Sequence, residues 1–145
     1  MEIRRATQEE LDLVVELFDG YRTFYNQPYD KEGARKFIYD RMLNNESMIF
    51  LAFEEDEAIG FTQLYPTFSS VSMRKSLILN DLYVKTNARR KGVGEALINK
   101  AFEYAKEIGA KGVLLETGRE NTKAQALYEK MGFTLEDNHF YYFTL

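Results

Sequence analysis

The sequence predicts a single α/β (α+β) domain built on a mixed sheet, and three observations carry that prediction. Its 145 residues suffice for one hydrophobic core and are too few for two, so 1–145 reads as one domain. Apolar residues recur at helical intervals up to about residue 44 and at intervals of two from residue 48. Beyond residue 77, strand-like and helix-like stretches alternate, which demands a right-handed crossover between parallel strands.

Residues 2–6 read as a short strand. Thr7 precedes Glu10 at capping-box spacing, and Leu11, Val14, Val15 and Phe18 follow at helical intervals until Gly20 marks an end. Residues 21–30 (YRTFYNQPYD) break that pattern, and two readings stand for their rings. They form either a loop packed by its own aromatics or the aromatic wall of a pocket. A second helix spans about 31–44, with Phe37, Ile38, Met42 and Leu43 facing inward. Residues 48–54 and 58–68 form a hairpin around Glu55-Asp56-Glu57, and 77–84 (LILNDLYV) is a strongly β-prone run.

In the second half, a helix from 92 to 108 buries Val93, Leu97, Ile98, Ala101, Phe102, Ala105 and Ile108, with Gly109 as its C-cap. A short strand at 113–117 should lie parallel to 77–84. A helix follows at 122–131, stopped by Gly132, and two further strands are expected at 133–136 and 139–145.

Composition removes several classes of function. Apolar residues at 45% and aromatics at 14% exclude wholesale disorder. The absence of cysteine excludes disulfides, thiol nucleophiles and thiolate metal sites, and the lone His139 cannot build a multi-histidine metal centre. A net charge of −4 argues against nucleic acid or an anionic membrane as partner. No apolar run approaches the roughly 18 residues that span a bilayer, and the opening MEIRRATQEE lacks a signal peptide's apolar stretch. A cytoplasmic location is the expectation.

Two segments carry chemistry. In the first, a strand ending at Val84 leads through Arg89, Arg90 and Lys91 to Gly92, Val93, Gly94 and Glu95, where an amphipathic helix opens. Unpaired N–H groups and the positive end of the helix dipole favour an anion there, and the two glycines let a bulky one approach. The loop is therefore either a phosphate or pyrophosphate cradle or a helix start with solvated basic residues. It lacks the Gly-Lys-Ser/Thr of a P-loop, and Leu97 stands where a dinucleotide fingerprint needs its third glycine. In the second segment, Ala124, Leu127 and Tyr128 share one helix face, and Tyr128 is either a packed ring or a phenol aimed at a crevice.

Together these segments resemble the GNAT superfamily of acyl-CoA-dependent N-acetyltransferases. The family's Gln/Arg-x-x-Gly-x-Gly/Ala loop is matched by Arg89-Arg90-Lys91-Gly92-Val93-Gly94. Its Asn-x-x-Ala-x-x-Leu-Tyr-x-x-x-Gly-Phe segment is matched in full from Asn121 to Phe133. The resemblance implies a GNAT-type sheet of about six to seven strands whose two parallel central strands splay apart to admit acetyl-CoA, without a metal. It implies that the backbone of Leu82, Tyr83 and Val84 pairs with the pantetheine arm, facing residues 114–117. The amides of Arg90 through Glu95 would hold the pyrophosphate, with Lys123 a further candidate for its phosphates, and Asn121 would hydrogen-bond the cofactor arm. Tyr128 would be the general acid that protonates the departing thiolate, and the amide of Leu82 or Tyr83 would support the developing oxyanion.

Within the family, the small amine acetyltransferases of the spermidine/spermine or thialysine type carry Glu-Asp where this chain reads Asn80-Asp81. By strand alternation those two side chains face opposite ways. If Asn80 faces the pocket a carboxylate is missing there, whereas a bulged strand would let Asp81 serve as base; otherwise Asp81 is a structural hydrogen-bonder. The resemblance implies a primary amine of a small cationic metabolite (a diamine, polyamine or amino acid) as acceptor, with Tyr21, Tyr25 and Tyr29 as a wall suited to a cation. The apolar ending, 139–145, implies either burial within the monomer or a homodimer. Two other readings remain at this level: an acyl-CoA-binding sensor or structural domain without turnover, and an acetyltransferase of protein or peptide amines.

Overall fold

The computed structural model describes residues 1–145. Strand β1 (Glu2–Arg5) leads into helix α1 (Leu11–Phe24), followed by α2 (Lys31–Leu43), β2 (Met48–Glu54), β3 (Glu57–Ser69), β4 (Arg74–Val84), α3 (Val93–Glu107), β5 (Val113–Leu114) and α4 (Thr122–Lys130). The five strands lie in sequence order, the first four antiparallel and β5 parallel to β4. This is the expected mixed α/β sheet with its parallel pair.

Local chemistry explains the boundaries. The Glu10 carboxylate accepts from the Thr7 amide at 3.0 Å, and Asp30 caps α2 by accepting from the Gly33 amide at 2.9 Å. Gly109 closes the turn after α3 at φ 69°, in the left-handed region that glycine tolerates best.

Two core layers sandwich the sheet. Val14, Val15, Leu17 and Phe18 of α1 and Ile38 of α2 pack with Leu51 and Phe61 on one face. On the other, Val93, Leu97, Ile98 and Ala101 of α3 pack with Phe50, Ala52, Leu77 and Leu79. At the centre of the second layer, a side chain on Gly60 would come within 2.9 Å of the Tyr83 carbonyl oxygen and 3.3 Å of Val93, so its glycine sets how closely α3 approaches.

Four expectations are corrected. First, α1 does not stop at Gly20 but runs to Phe24, so Tyr21 is helical. A Cβ on Gly20 would lie 2.7 Å from the Tyr83 hydroxyl. That glycine makes room for a ring on the sheet instead of ending a helix. Second, β5 spans two residues in place of 113–117. Third, 133–136 and 139–145 form no strand, so the sheet has five strands instead of six or seven. Fourth, of the residues expected inward on α2, Ile38 is fully buried, while Phe37 and Leu43 are exposed. The Phe37 ring lies flat against Phe18 at 5.7 Å.

Candidate active site

The site begins where two parallel strands part. Strand β5 pairs with β4 only at Leu77↔Val113 and Ile78↔Leu114, while β4 continues to Val84. On its other side β4 stays paired with β3, Leu82 to Thr62, Tyr83 to Phe61 and Val84 to Gly60. The edge of β4 that faces away from β3 is thus open along Leu82, Tyr83 and Val84. An extended ligand arm can add there by main-chain hydrogen bonds.

The anion loop sits at the end of that open edge. After a single turn at Thr86–Ala88, Arg90 (φ 65°) and Gly92 (φ 79°) both take left-handed conformations before α3 opens at Val93. None of the backbone N–H groups from Arg90 to Glu95 has a backbone partner. A Cβ on Gly92 would meet nothing within 4 Å, so the space in front of these amides is clear. Successive free amides, an open glycine and a helix N-terminus fit a diphosphate. Arg90 and Lys91 are exposed beside it. Arg89 is more constrained: its Nε donates to the Val84 carbonyl at 2.9 Å, and its guanidinium lies over the rings of Phe24 and Tyr83. Its first task is to fasten the loop to the strand.

The pairing of β3 with β4 slips by one residue in the middle. Gln63 pairs with Asp81 but Leu64 pairs with Leu79, which leaves Asn80 as the extra residue of a bulge. Before it, Leu77 and Leu79 face α3; after it, Leu82 and Val84 do. Asp81 and Tyr83 are thereby turned toward α1. The bulge that would let Asp81 serve is present, and Asn80 itself is exposed.

Asp81 is only 2% exposed. One carboxylate oxygen accepts from Gln63 Nε2 at 2.5 Å, the other from Asn80 Nδ2 at 2.7 Å. The Tyr21 hydroxyl donates to the Asn80 carbonyl at 3.3 Å and lies within hydrogen-bonding reach of the carboxylate. Burial pushes the Asp81 pKa up, and the three hydrogen bonds oppose that rise without cancelling it. Burial and the nearby Asp81 charge also push up the phenols around it, Tyr21 beyond the usual tyrosine range and Tyr65 to about 12. Gln63 and Tyr65 were not singled out from the sequence. The legible signal was a glutamine inside the apolar run AIGFTQLYPTF, because a buried amide in a strand needs a polar partner. Its Oε1 has no partner and is buried.

Helix α4 brings the phenol of Tyr128 to the opposite wall. Burial raises its pKa, and Tyr25 is close enough to raise it further. Tyr25 in turn meets Tyr21 edge-on at 5.0 Å. Tyr21, Tyr25, Tyr128 and Asp81 therefore share one neighbourhood, whereas Tyr29 is 73% exposed and outside the cluster. Asn121 caps α4, its Oδ1 accepting from the Ala124 amide at 3.3 Å, which leaves its amide nitrogen for a ligand. Lys123 is exposed on the first turn of the same helix. His139 lies in the exposed C-terminal segment, away from these groups.

The chain is similar to several known proteins. The sequence profile of the Acetyltransferase (GNAT) family matches residues 14–133. A Bacillus subtilis (strain 168) protein named "Uncharacterized N-acetyltransferase YhfO" is 48% identical over 145 residues, covering 100% of this chain and 97% of that one. A "Probable acetyltransferase" of Haemophilus influenzae is 31% identical over 93% of this chain and 91% of its own length. A D-amino-acid N-acetyltransferase of Saccharomyces cerevisiae, HPA3, is 38% identical over 57% of this chain and 53% of its own. Among solved structures, that of a probable acetyltransferase superposes with a TM-score of 0.92 at 44% identity, covering 100% of this chain and 97% of that one.

Proposed function

The chain belongs to the acetyltransferase (GNAT) family, and from the site it carries we propose that it acetylates the primary amine of a small cationic metabolite, with Asp81 as base and Tyr128 as general acid. It is an N-acetyltransferase, and acetyl-CoA supplies the activated acetyl group. The free amides of residues 90–95 hold the diphosphate, assisted by Arg90, Lys91 and Lys123. The open edge of Leu82, Tyr83 and Val84 and the amide of Asn121 hold the arm. No metal takes part.

An alkylammonium loses its proton near pH 10.4, more than three units above neutrality, so it reacts only if a group in the site takes that proton. The single observation that carries the proposal is the bulge at Asn80, which sets a buried carboxylate among Tyr21, Gln63 and Tyr65. Asp81 accepts the proton by way of the Tyr21 hydroxyl. The Gln63 Oε1 without a partner and the Asp81 carboxylate are both acceptors, and an ammonium is a donor-only group that complements them. Tyr21 and Tyr25 offer ring faces to the cation. Across the opening, the Tyr128 phenol keeps its proton at neutral pH as an ordinary phenol does, burial pushes its pKa further up, and it donates that proton to the leaving sulfur.

We assign the active form to a homodimer, because a segment as apolar as 139–145 is exposed in the single chain. The test of the chemistry is thiol release from acetyl-CoA against a panel of diamines, polyamines, amino acids and neutral amines of similar size. Cationic acceptors should turn over fastest; preference for neutral amines would overturn the acceptor assignment while leaving the family standing.

A further inference from the structure

The side chain of Gln63 has one end in use and one idle. It lies on β3 opposite Asp81, is fully buried, and donates from Nε2 to Asp81 Oδ2 at 2.5 Å. Three buried side-chain atoms lack a partner, Asp19 Oδ1, Ser47 Oγ and Gln63 Oε1, and of these only Gln63 Oε1 belongs to a side chain bonded to the base. The other amide on the carboxylate, that of Asn80, is exposed and can find water. A buried amide oxygen left unpaired is costly, so a glutamine at this place calls for a state in which that oxygen is used.

The chemistry of a base supplies such a state. An ionised carboxylate only accepts, and the amide meets it nitrogen first. With a proton on Oδ2 the same group becomes a donor, and two donors then face each other. The terminal torsion of a glutamine is broad and roughly two-fold, and its two ends are nearly alike, so a half-turn needs little new room. We propose that Gln63 is a positioning residue for the base, whose amide turns over when Asp81 is protonated and presents Oε1 to the new O–H. This rests on Asp81 being the base, as proposed above, and specifies how its proton is held.

In the transfer the ammonium N–H bond breaks and leaves the neutral amine with its electron pair. Tyr21 passes a proton on and regains one, and an O–H bond forms on Asp81. Gln63 neither gains nor loses a proton. The carboxyl later releases its proton to solvent, and the amide turns back. A fixed donor would favour the ionised form alone and a fixed acceptor the protonated form alone, whereas a turning amide gives each form a matching partner. Asp81 therefore keeps one place through the cycle. The titratable groups facing it are Tyr21 from α1 and Tyr65 from β3, with the Arg41 guanidinium of α2 acting on Tyr65. Both phenols are pushed up, so they stay protonated while a carboxyl titrates, and Asp81 is the member of this cluster that changes charge there.

Neutron diffraction tells nitrogen, oxygen and deuterium apart and reads the amide directly, in crystals of the full chain without coenzyme A. One crystal is held at a pH above the acid limb of the rate profile and one below it. Nε2 should face an ionised Asp81 in the first, and Oε1 should face a deuteron on Asp81 Oδ2 in the second. The same end of the amide facing Asp81 in both, with the deuteron gained, would overturn the turnover and leave Asp81 as the base. No deuteron on Asp81 below the acid limb would overturn the base assignment and this proposal with it. Gln63→Met keeps an unbranched chain of similar length and removes both ends of the amide. Its kcat should fall about 10–100-fold while KM for acetyl-CoA holds, and an unchanged kcat would overturn the positioning role. The diffraction result uses the unaltered protein, so it stands whether or not the variant folds.

Discussion

Asp81 carries opposing demands at the level of a single residue. Burial raises its pKa, so the folded protein binds that proton more tightly than the unfolded chain does. Its contribution to stability is therefore full below the ordinary carboxylate range and is lost as pH rises through the folded-state value. A base, by contrast, works only above that value. Asp81→Asn should lower kcat/KM by about 10²–10⁴-fold. It should also abolish the acid limb of the pH–rate profile and flatten the dependence of stability on pH across the same window. Rate profiles and thermal melts from pH 4 to about 8 would check both. Tyr128→Phe removes the proton donor but keeps the ring beside Phe133. We expect kcat to fall about 100-fold while coenzyme A affinity, read by calorimetry, holds. Residue types at these positions were legible in the sequence, as was the choice that Asp81 turns on. What the sequence did not contain was the outcome, since a bulge exists only in the pairing of two strands.

Elements were read well where one face repeats and poorly where a signal has two meanings. Helix α3 followed from its apolar stripe, and all of Val93, Leu97, Ile98, Ala101 and Ala105 are buried. Gly20 shows the other case. Glycine marks helix ends, but it also marks close approaches, and only the neighbouring ring of Tyr83 decides between them. Through that contact α1, which carries Tyr21 and ends at Tyr25 as its C-cap, is fitted against the strand whose far edge is open at Leu82 to Val84. Gly20→Leu should displace the Tyr83 ring, destabilise the fold by about 1–3 kcal/mol and raise KM for the amine. A melt together with steady-state kinetics would test this. The strands expected at 133–136 and 139–145 failed for a related reason. Alternation and β-propensity identify a chain ready to pair, while whether it does pair depends on an edge that the local sequence does not encode.

Over the whole molecule, two apolar layers on one sheet hold the site's two walls at a fixed spacing. Leu97 is fully buried in the α3 layer and packs close to Gly60. Leu97→Ala should cost about 2–5 kcal/mol, measured by denaturant unfolding, out of the 5–15 kcal/mol typical of a domain. The slip at Asn80 has a consequence for how such a chain can vary. Upstream of it, odd-numbered side chains of β4 serve one layer; downstream, even-numbered ones do. Excising that one amino acid would leave Asp81 opposite Gln63 and Leu82 beneath α3, because the strand would then simply alternate through the spot. A shortening of the gene by a single codon there would thus spare both layers and cost Asp81 only the amide donor that Asn80 supplies.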